Sequence, residues 1–388
     1  MKRQKQEKVF ALNSCVIGMV LACTGAPTWA ADASPVLVKI GHVGPLTGQV
    51  AHMGKDSENG ARLAIDEINK GGLTIAGKRI SLVLDTQDDG ADPRTGTAAA
   101  TKLVDDGVVA VIGHINSGVS IPAARIYSDA GVTQISPASS NPAYTQQGYM
   151  TTYRVIATDA QQGPALADFA VKKLKAGKIA VVDDATAYGQ GLANQFVKSA
   201  LANGAQITSR DATNDKAVDF RAILTRIKGL QPDLIMFGGS DATVGPFARQ
   251  AKSLGIPAKI IGGDGACHDK VVELAGDAAD NIICSEAGLS LAQMPRGRDF
   301  QERYVARYNS PVQQYSPFAY DAVYIAVAAM KKADSVDPRK ITAAMRATNY
   351  DGVIGNIQFD EKGDLKKPVI TIYEFYGGKK RTLDIIRL

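Results

Sequence analysis

The sequence predicts an α/β protein of two doubly wound domains, each a mostly parallel sheet with helices on both faces. Three observations carry this reading. Short runs of β-branched and aliphatic residues alternate with amphipathic segments along most of the 388-residue chain. After Ile156 the alternation starts afresh, as a second domain of the same kind requires. The loops that follow the strands are rich in Ser, Gly, Thr and Asn, and in open parallel sheets ligands gather at the carboxyl ends of the strands.

The first thirty residues stand apart from this pattern. Lys2, Arg3, Lys5 and Lys8 form a basic start, Val9 to Ala22 an apolar core, and Thr28-Trp29-Ala30 a small-residue cleavage site, the signature of a secretory signal peptide over residues 1–30. Val20-Leu21-Ala22-Cys23 loosely resembles a lipoprotein box, but Leu is unusual at its second place, so cleavage after Ala30 is preferred to lipid anchoring at Cys23. With four basic residues and one acid removed, the formal net charge falls from +5 to +2, which argues against nucleic acid as a partner. The apolar core of the signal is short, and no later run reaches the ~20 residues of a membrane span. Cleavage also removes Cys15 and Cys23 and leaves Cys267 and Cys284, two thiols that pair in an oxidising compartment. A metal site is the weaker alternative, since His268 adjoins Cys267 but His42, His52 and His114 lie far off in sequence.

In chain order, Val36 to Val43 reads as a strand and Gly44 to Gly48 as a loop. Ser57 to Lys70 reads as a helix with Ala61, Ala64, Ile65 and Ile68 on one face and Gly71-Gly72 as its stop. Ile80 to Leu84 is a strand, and Asp92-Pro93 is an N-cap followed by proline at the first helical position of a segment running to Asp106. Val108 to Ile112 reads as a strand buried on both faces, turned sharply by Gly113. Asn116, Ser117, Gly118 and Ser120 then crowd the start of a helix to Ala130, where unpaired N–H groups and the positive end of the dipole can seat a small carboxylate. Ser117 could equally be an ordinary helix cap. Val132 to Ser136 closes the first set.

The second set reads helix 161–175, strand 178–182, helix 189–203, strand 206–209, helix 220–228, strand 233–237, helix 244–254 and strand 259–261. Beyond Cys284 three helices come in succession, 295–308, 317–332 and 338–348, with strands only at 357–359, 369–375 and 382–386. Helices without a sheet of their own need another surface, so the chain is expected to return to the first domain and cross between the two more than once. Gly72 to Lys78 has most of a Walker A spacing, yet Arg79 stands where Ser or Thr is required and the segment precedes a strand. Gly262-Gly263-Asp264-Gly265 lacks a dinucleotide fingerprint, and no Gly-Xaa-Ser-Xaa-Gly elbow occurs. His114 lies three residues before Ser117 without a third partner, so no enzyme and no cofactor is expected.

The segments VIGHINSGVSIPA, ISPASSNPAYT, AYGQGLA, GGDGACHD, SPFAYDAVY and FDEKGDLK, in this order and separation, resemble the leucine/isoleucine/valine-binding protein family of type I periplasmic binding proteins. The resemblance implies two doubly wound parallel-sheet lobes joined by a three-crossover hinge, with residues 34–156 and 288–366 in one lobe and 157–287 and 367–388 in the other. It implies a periplasmic, monomeric protein that captures a hydrophobic L-amino acid, branched-chain or aromatic, and delivers it to the membrane permease of an ABC importer. A ligand-sensing regulator of the same fold, binding an amide or other small carboxylate, is the alternative.

Carried over residue by residue, the resemblance puts Ser117 with Ala138, Ser139 and Ser140 at the ligand α-carboxylate and Asp264 at the α-ammonium. It makes Tyr188 and Tyr315 aromatic walls, and sets Met53 and Ser240 where branched-chain-specific relatives carry aromatic side chains. Methionine is adaptable and serine small, so the pocket is expected to be wider and slightly more polar than one made for leucine. In the family some relatives have a cysteine pair where Ala91 and Asn116 stand here; the Cys267 and Cys284 pair takes over that stapling role.

Overall fold

A computed structural model describes residues 34–388; the expected signal peptide, Cys15 and Cys23 lie outside the described residues. The first sheet is built from β1 (Val36–Gly44), β2 (Leu73–Ile75), β3 (Lys78–Asp88), β4 (Ala110–Gly113), β5 (Thr133–Ser136) and β6 (Thr152–Arg154) in the order β2-β3-β1-β4-β5-β6. Only β2 runs antiparallel, as one arm of a hairpin whose turn uses the left-handed Ala76 and Gly77. That hairpin is the fate of the Walker-like spacing. Helices α1 (Ala51–Gly71), α2 (Pro93–Asp105) and α3 (Ser117–Ala130) connect these strands.

The second sheet contains β7 (Lys178–Asp183), β8 (Gln206–Ala212), β9 (Leu234–Gly238), β10 (Lys259–Gly262) and β11 (Ile282–Glu286), wound through α4 (Asp159–Asp168), α5 (Ala187–Ala202), α6 (Arg221–Leu230), α7 (Asp241–Ser253) and the short α8 (Lys270–Ala275). Helices α9 (Gly297–Tyr308), α10 (Ser316–Ala333) and α11 (Pro338–Met345) follow, then a two-strand hairpin β12 (Tyr350–Asp351) and β13 (Asn356–Ile357). The chain closes with β14 (Val369–Tyr376) and β15 (Lys379–Arg387), which add antiparallel to the second sheet and make its order β15-β14-β11-β10-β9-β7-β8.

Helices α9 to α11 cover the first sheet. Phe300, Phe318, Ala322, Val323 and Met330 share one core with Val38, Ile40, Ala64 and Ile112. Gly60 of α1 is required there, because a Cβ on it would stand 2.1 Å from Ser316 O of α10. The opposite face of the sheet is filled by Leu103, Val111, Ala123 and Tyr127. The chain therefore passes between the sheets after β6, after β11 and before β14. The first two passes lie side by side, with Ala157 N donating to Ala287 O at 3.1 Å.

Several boundaries differ from the sequence reading for tertiary reasons. Helix α1 begins at Ala51, six residues before the Ser57 start read from sequence, and β3 continues through the polar Asp85–Asp88 because those residues pair with Gly41–Gly44 of β1. Strands β6 and β11 were not anticipated: β6 is three residues ending in Arg154, and β11 lies between the parallel β10 and the antiparallel β14. Helix α4 passes into a π-helical turn at Phe169–Lys173.

In the first sheet the winding reverses at β1, which lies between β3 and β4, and in the second at β7, between β8 and β9. Crevices form at the carboxyl ends of strands flanking such reversals. The loops and first helical turns found there carry His52 and Met53 after β1, Ser117 after β4, Tyr188 after β7 and Ser240 after β9; Asp264 follows the neighbouring β10.

Candidate functional site

One wall of the crevice is the β4–α3 turn. Gly113 has φ +134°, and a Cβ there would meet Val43 O at 2.1 Å, so only glycine lets β4 turn this close to β1. Val119 N and Ser120 N close onto Asn116 O and start the helix, leaving the N–H groups of Ser117 and Gly118 at its open end. Ser117 does not cap that end: its Oγ accepts from Asn141 N at 3.2 Å, across to the β5 loop. Ser136 Oγ accepts from Ser139 N at 2.8 Å, and Ser139 Oγ donates to Ile115 O at 3.1 Å, so the Ser139 side chain braces the two loops against each other. Ala138 packs against Met53, Ile115 and Tyr315. Ser140 is fully buried, and its Oγ has no hydrogen-bond partner among the described residues.

A residue absent from the sequence reading holds this wall in place. Arg154, fully buried at the end of β6, donates to Ser139 O at 2.6 Å and Asn141 O at 3.0 Å, on either side of Ser140, and pairs with Asp364 at 2.6 Å. Its guanidinium thus fixes the backbone of the Ser140 loop from behind.

The facing wall carries buried acid. Asp264 Oδ1 accepts from Gln162 Nε2 at 3.1 Å and Tyr188 Oη at 3.1 Å, and its Oδ2 accepts from Tyr315 Oη at 2.9 Å. Ser285 Oγ donates to Gln162 Oε1 at 2.9 Å and so turns the Gln162 amide toward Asp264. Burial still pushes the Asp264 carboxyl above its ordinary pKa against these donors.

Asp159, at the first position of α4, was also missed. Its backbone N–H donates to Ser140 O at 2.8 Å, while neither carboxylate oxygen has a hydrogen-bond partner among the described residues. Ser140 Oγ lies near enough to favour the ionised form but without hydrogen-bond geometry, and burial followed by the charge of Asp264 pushes Asp159 up to about 8. Two buried acids therefore share this wall, one satisfied and one not.

The crevice is closed. Tyr315, at the start of α10, reaches Asp264 after β10, and Asn141 Nδ2 donates to Ala187 O at 2.6 Å. His52 Nε2 stands 2.8 Å from Asp241 Oδ2, a close contact without hydrogen-bond alignment. Tyr315 is itself pinned, because Asp56 of α1 accepts from Tyr315 N at 2.7 Å and Ser316 N at 2.8 Å. Met53 is buried beside Tyr315, and Ser240 sits half-buried at the start of α7 with no side-chain capping bond. Cys267, three residues past Asp264, is disulfide-bonded to Cys284 of β11, with Cα atoms 5.3 Å apart. The bridge anchors the Asp264 loop to the sheet and constrains the unfolded chain by about 3 kcal/mol. His114 bonds Asp89 through Nδ1 and Tyr127 through Nε2, so both ring nitrogens are engaged with partners other than Ser117. Among the described residues no group of three or more His, Cys, Asp or Glu is disposed to hold a metal ion.

Residues 37–375 match the periplasmic binding protein family. A leucine-, isoleucine-, valine-, threonine- and alanine-binding protein of Pseudomonas aeruginosa is 33% identical over 371 residues, covering 96% of this chain and 97% of that one. Among solved structures, a leucine binding protein of Thermotoga maritima is similar with a TM-score of 0.84 at 29% identity, over 90% of this chain and 98% of that one. A branched-chain amino acid transporter substrate binding protein of Streptococcus pneumoniae, in complex with isoleucine, gives a TM-score of 0.83 at 27% identity, over 91% and 100% of the two chains. On this match, across nearly all of the described residues, the chain belongs to the periplasmic binding protein family and has the type I fold of its leucine/isoleucine/valine-binding members.

Proposed function

We propose that this protein captures an uncharged L-α-amino acid outside the cytoplasm, branched-chain amino acids being the first candidates, and hands it to the permease of an ABC importer. The observation that carries the reading is the opposition of two unlike walls: the open N-terminal end of α3 beside the unpartnered Ser140 hydroxyl, and the buried acids Asp264 and Asp159. A zwitterion complements both. An anion alone would leave the acids uncompensated, and a buried unpaired charge costs several kcal/mol.

In this reading Ser117 and Ser140 hold the α-carboxylate with the Ser117 and Gly118 N–H groups. Asp264, aided by Asp159, holds the α-ammonium, and Tyr188 and Tyr315 cover the ligand. The two lobes comprise residues 34–156 with 288–366 and 157–287 with 367–388. The protein works as a periplasmic monomer that binds and releases without chemistry on its ligand. Relatives whose names record leucine, isoleucine and valine support the ligand class. Among the described residues no helix is long and apolar enough to cross a membrane.

A thermal-shift screen across the twenty amino acids, followed by calorimetry on those that raise Tm, tests the reading. A ligand bound only by the folded form stabilises in proportion to ln(1 + [L]/Kd), and contacts of this kind suit a Kd of the order of micromolar, about −8 kcal/mol. If no amino acid shifts Tm or gives binding heat, the proposal fails.

A further inference from the structure

Past Tyr315 the crevice changes character. Where Met53 and Ser240 would bound an aliphatic side chain, their sequence neighbours His52 and Asp241 face one another, and the His268 ring packs edge-on against His52 at 5.4 Å and Tyr315 at 5.0 Å. The three polar groups are contiguous with the ammonium site through Tyr315, whose hydroxyl is bonded to Asp264.

Apart from the close His52–Asp241 contact, they also lack aligned hydrogen bonds. Asp241 is fully buried and His268 is 2% exposed, yet both carboxylate oxygens and both ring nitrogens lack hydrogen-bond partners among the described residues, as does His52 Nε2. Burial holds the His268 imidazole well below its ordinary pKa, so it is neutral at pH 7 and offers one donor and one acceptor. Buried polar groups in native structures are almost always paired, and leaving them unmade is unfavourable. Asp241 offers acceptors only, while each imidazole can offer an N–H. A hydroxyl or a primary amide, which both donates and accepts, complements that set. A ligand carboxylate has no hydrogen for Asp241, and an ammonium has no acceptor for an imidazole N–H.

We propose that the side-chain end of the pocket is a hydrogen-bonding subsite built by His52, Asp241 and His268, which takes amino acids ending in an uncharged hydroxyl or carboxamide in preference to aliphatic ones of the same shape. The proposal rests on the amino-acid reading above and narrows its ligand class. His268 also borders a cavity of about 400 Å³ lined by Glu286, Gln314 and Lys380, so solvent there is the competing partner for its ring.

The test is calorimetry on the mature protein with three shape-matched pairs: valine and threonine, leucine and asparagine, methionine and glutamine. In at least one pair the polar member is expected to bind five- to tenfold more tightly. That preference should vanish in Asp241→Val and His268→Phe, with Tm measured on both variants. Should either fail to fold, His52→Leu, on a partly exposed side chain, serves the same purpose. Aliphatic members binding more tightly in all three pairs would overturn the subsite while leaving amino-acid capture intact. A preference that survives the variants would assign it to other groups and overturn it as well. Absence of binding by all six amino acids and by the remaining fourteen would instead remove the underlying reading.

Discussion

The two walls of the crevice are finished to different degrees. On the α3 side, loops are cross-braced by neutral hydrogen bonds through Ser136, Ser139 and Asn141, with Arg154 behind them. On the α4 side, two carboxyl groups lie buried near one another, and one of them has no hydrogen-bond partner among the described residues. The first wall is preorganised and electrostatically quiet. In the second, burial pushes both carboxyls toward the protonated form, and a nearby positive charge would draw them back to the ionised one. The carboxylate end should therefore set where a ligand sits, and the acid end should supply most of the binding energy and all of the pH dependence.

The largest effect should come from the acid end. Asp264→Ala removes the three-donor carboxylate and leaves the ligand ammonium partly unpaired, a loss of the kind that costs about 2–5 kcal/mol. Calorimetry should show affinity for the best amino acid falling at least tenfold, with Tm of the empty protein changed little or raised. Equal affinity in the variant would make the two walls equivalent and remove the contrast.

On the quiet wall the prediction concerns stability. Arg154→Met leaves the Ser139 and Asn141 carbonyls and Asp364 without their shared donor, at a cost of about 2–3 kcal/mol. Tm should drop by several degrees. Unchanged stability would mean that the Ser140 loop is held by something other than Arg154.

Much of this contrast was legible in sequence on one side only. The β4–α3 wall is local: an apolar run, Gly113, and serines within a few residues state a strand, a turn and an open helix end. Asp264 between glycines was legible only through family likeness. Asp159 was not, because it lies just before the helix read from residue 161, and what buries its carboxyl is the approach of Gly191 from α5, where a Cβ would lie 3.3 Å from Asp159 Oδ2. Arg154 was hidden for a similar reason, since its acceptors are backbone carbonyls, the Thr145 hydroxyl and an aspartate 210 residues away. Likewise His52 and Asp241 come from the first turns of α1 and α7 and His268 from the segment before α8, and no spacing announces that they meet. Local chemistry writes itself into a sequence, whereas burial imposed by a second loop does not.

The pH dependence sharpens the comparison. Asp159 titrates near pH 8 in the empty protein, raised by burial first and Asp264 second, with Arg154 acting in the opposite sense. Below that pH the site must shed a proton for Asp159 to meet the ammonium as a carboxylate. Affinity should therefore climb as pH rises from 6 toward 8, by at most tenfold per unit, and level off above it. For folding the sign is opposite: a carboxyl whose folded pKa lies above its unfolded value stabilises fully below about pH 4, and that contribution is lost as pH rises through 8. Asp159→Asn should flatten the affinity slope and raise the stability of the empty protein at pH 8. A slope that persists in Asp159→Asn would transfer the proton to another group.

The smallest effect belongs to Ser117, at the open end of α3. Its hydroxyl already accepts from Asn141 N, so it offers a ligand carboxylate only the hydroxyl hydrogen, while the adjoining backbone N–H groups are indifferent to the side chain. Ser117→Ala therefore removes one hydrogen bond from a set whose other members remain. A single such bond contributes about 1 kcal/mol, so affinity should fall about fivefold, with no change in its pH slope. A loss as large as that of Asp264→Ala would show that the hydroxyl, and not the open helix end, holds the carboxylate, and the quiet wall would then be as dependent on one side chain as the acid wall is.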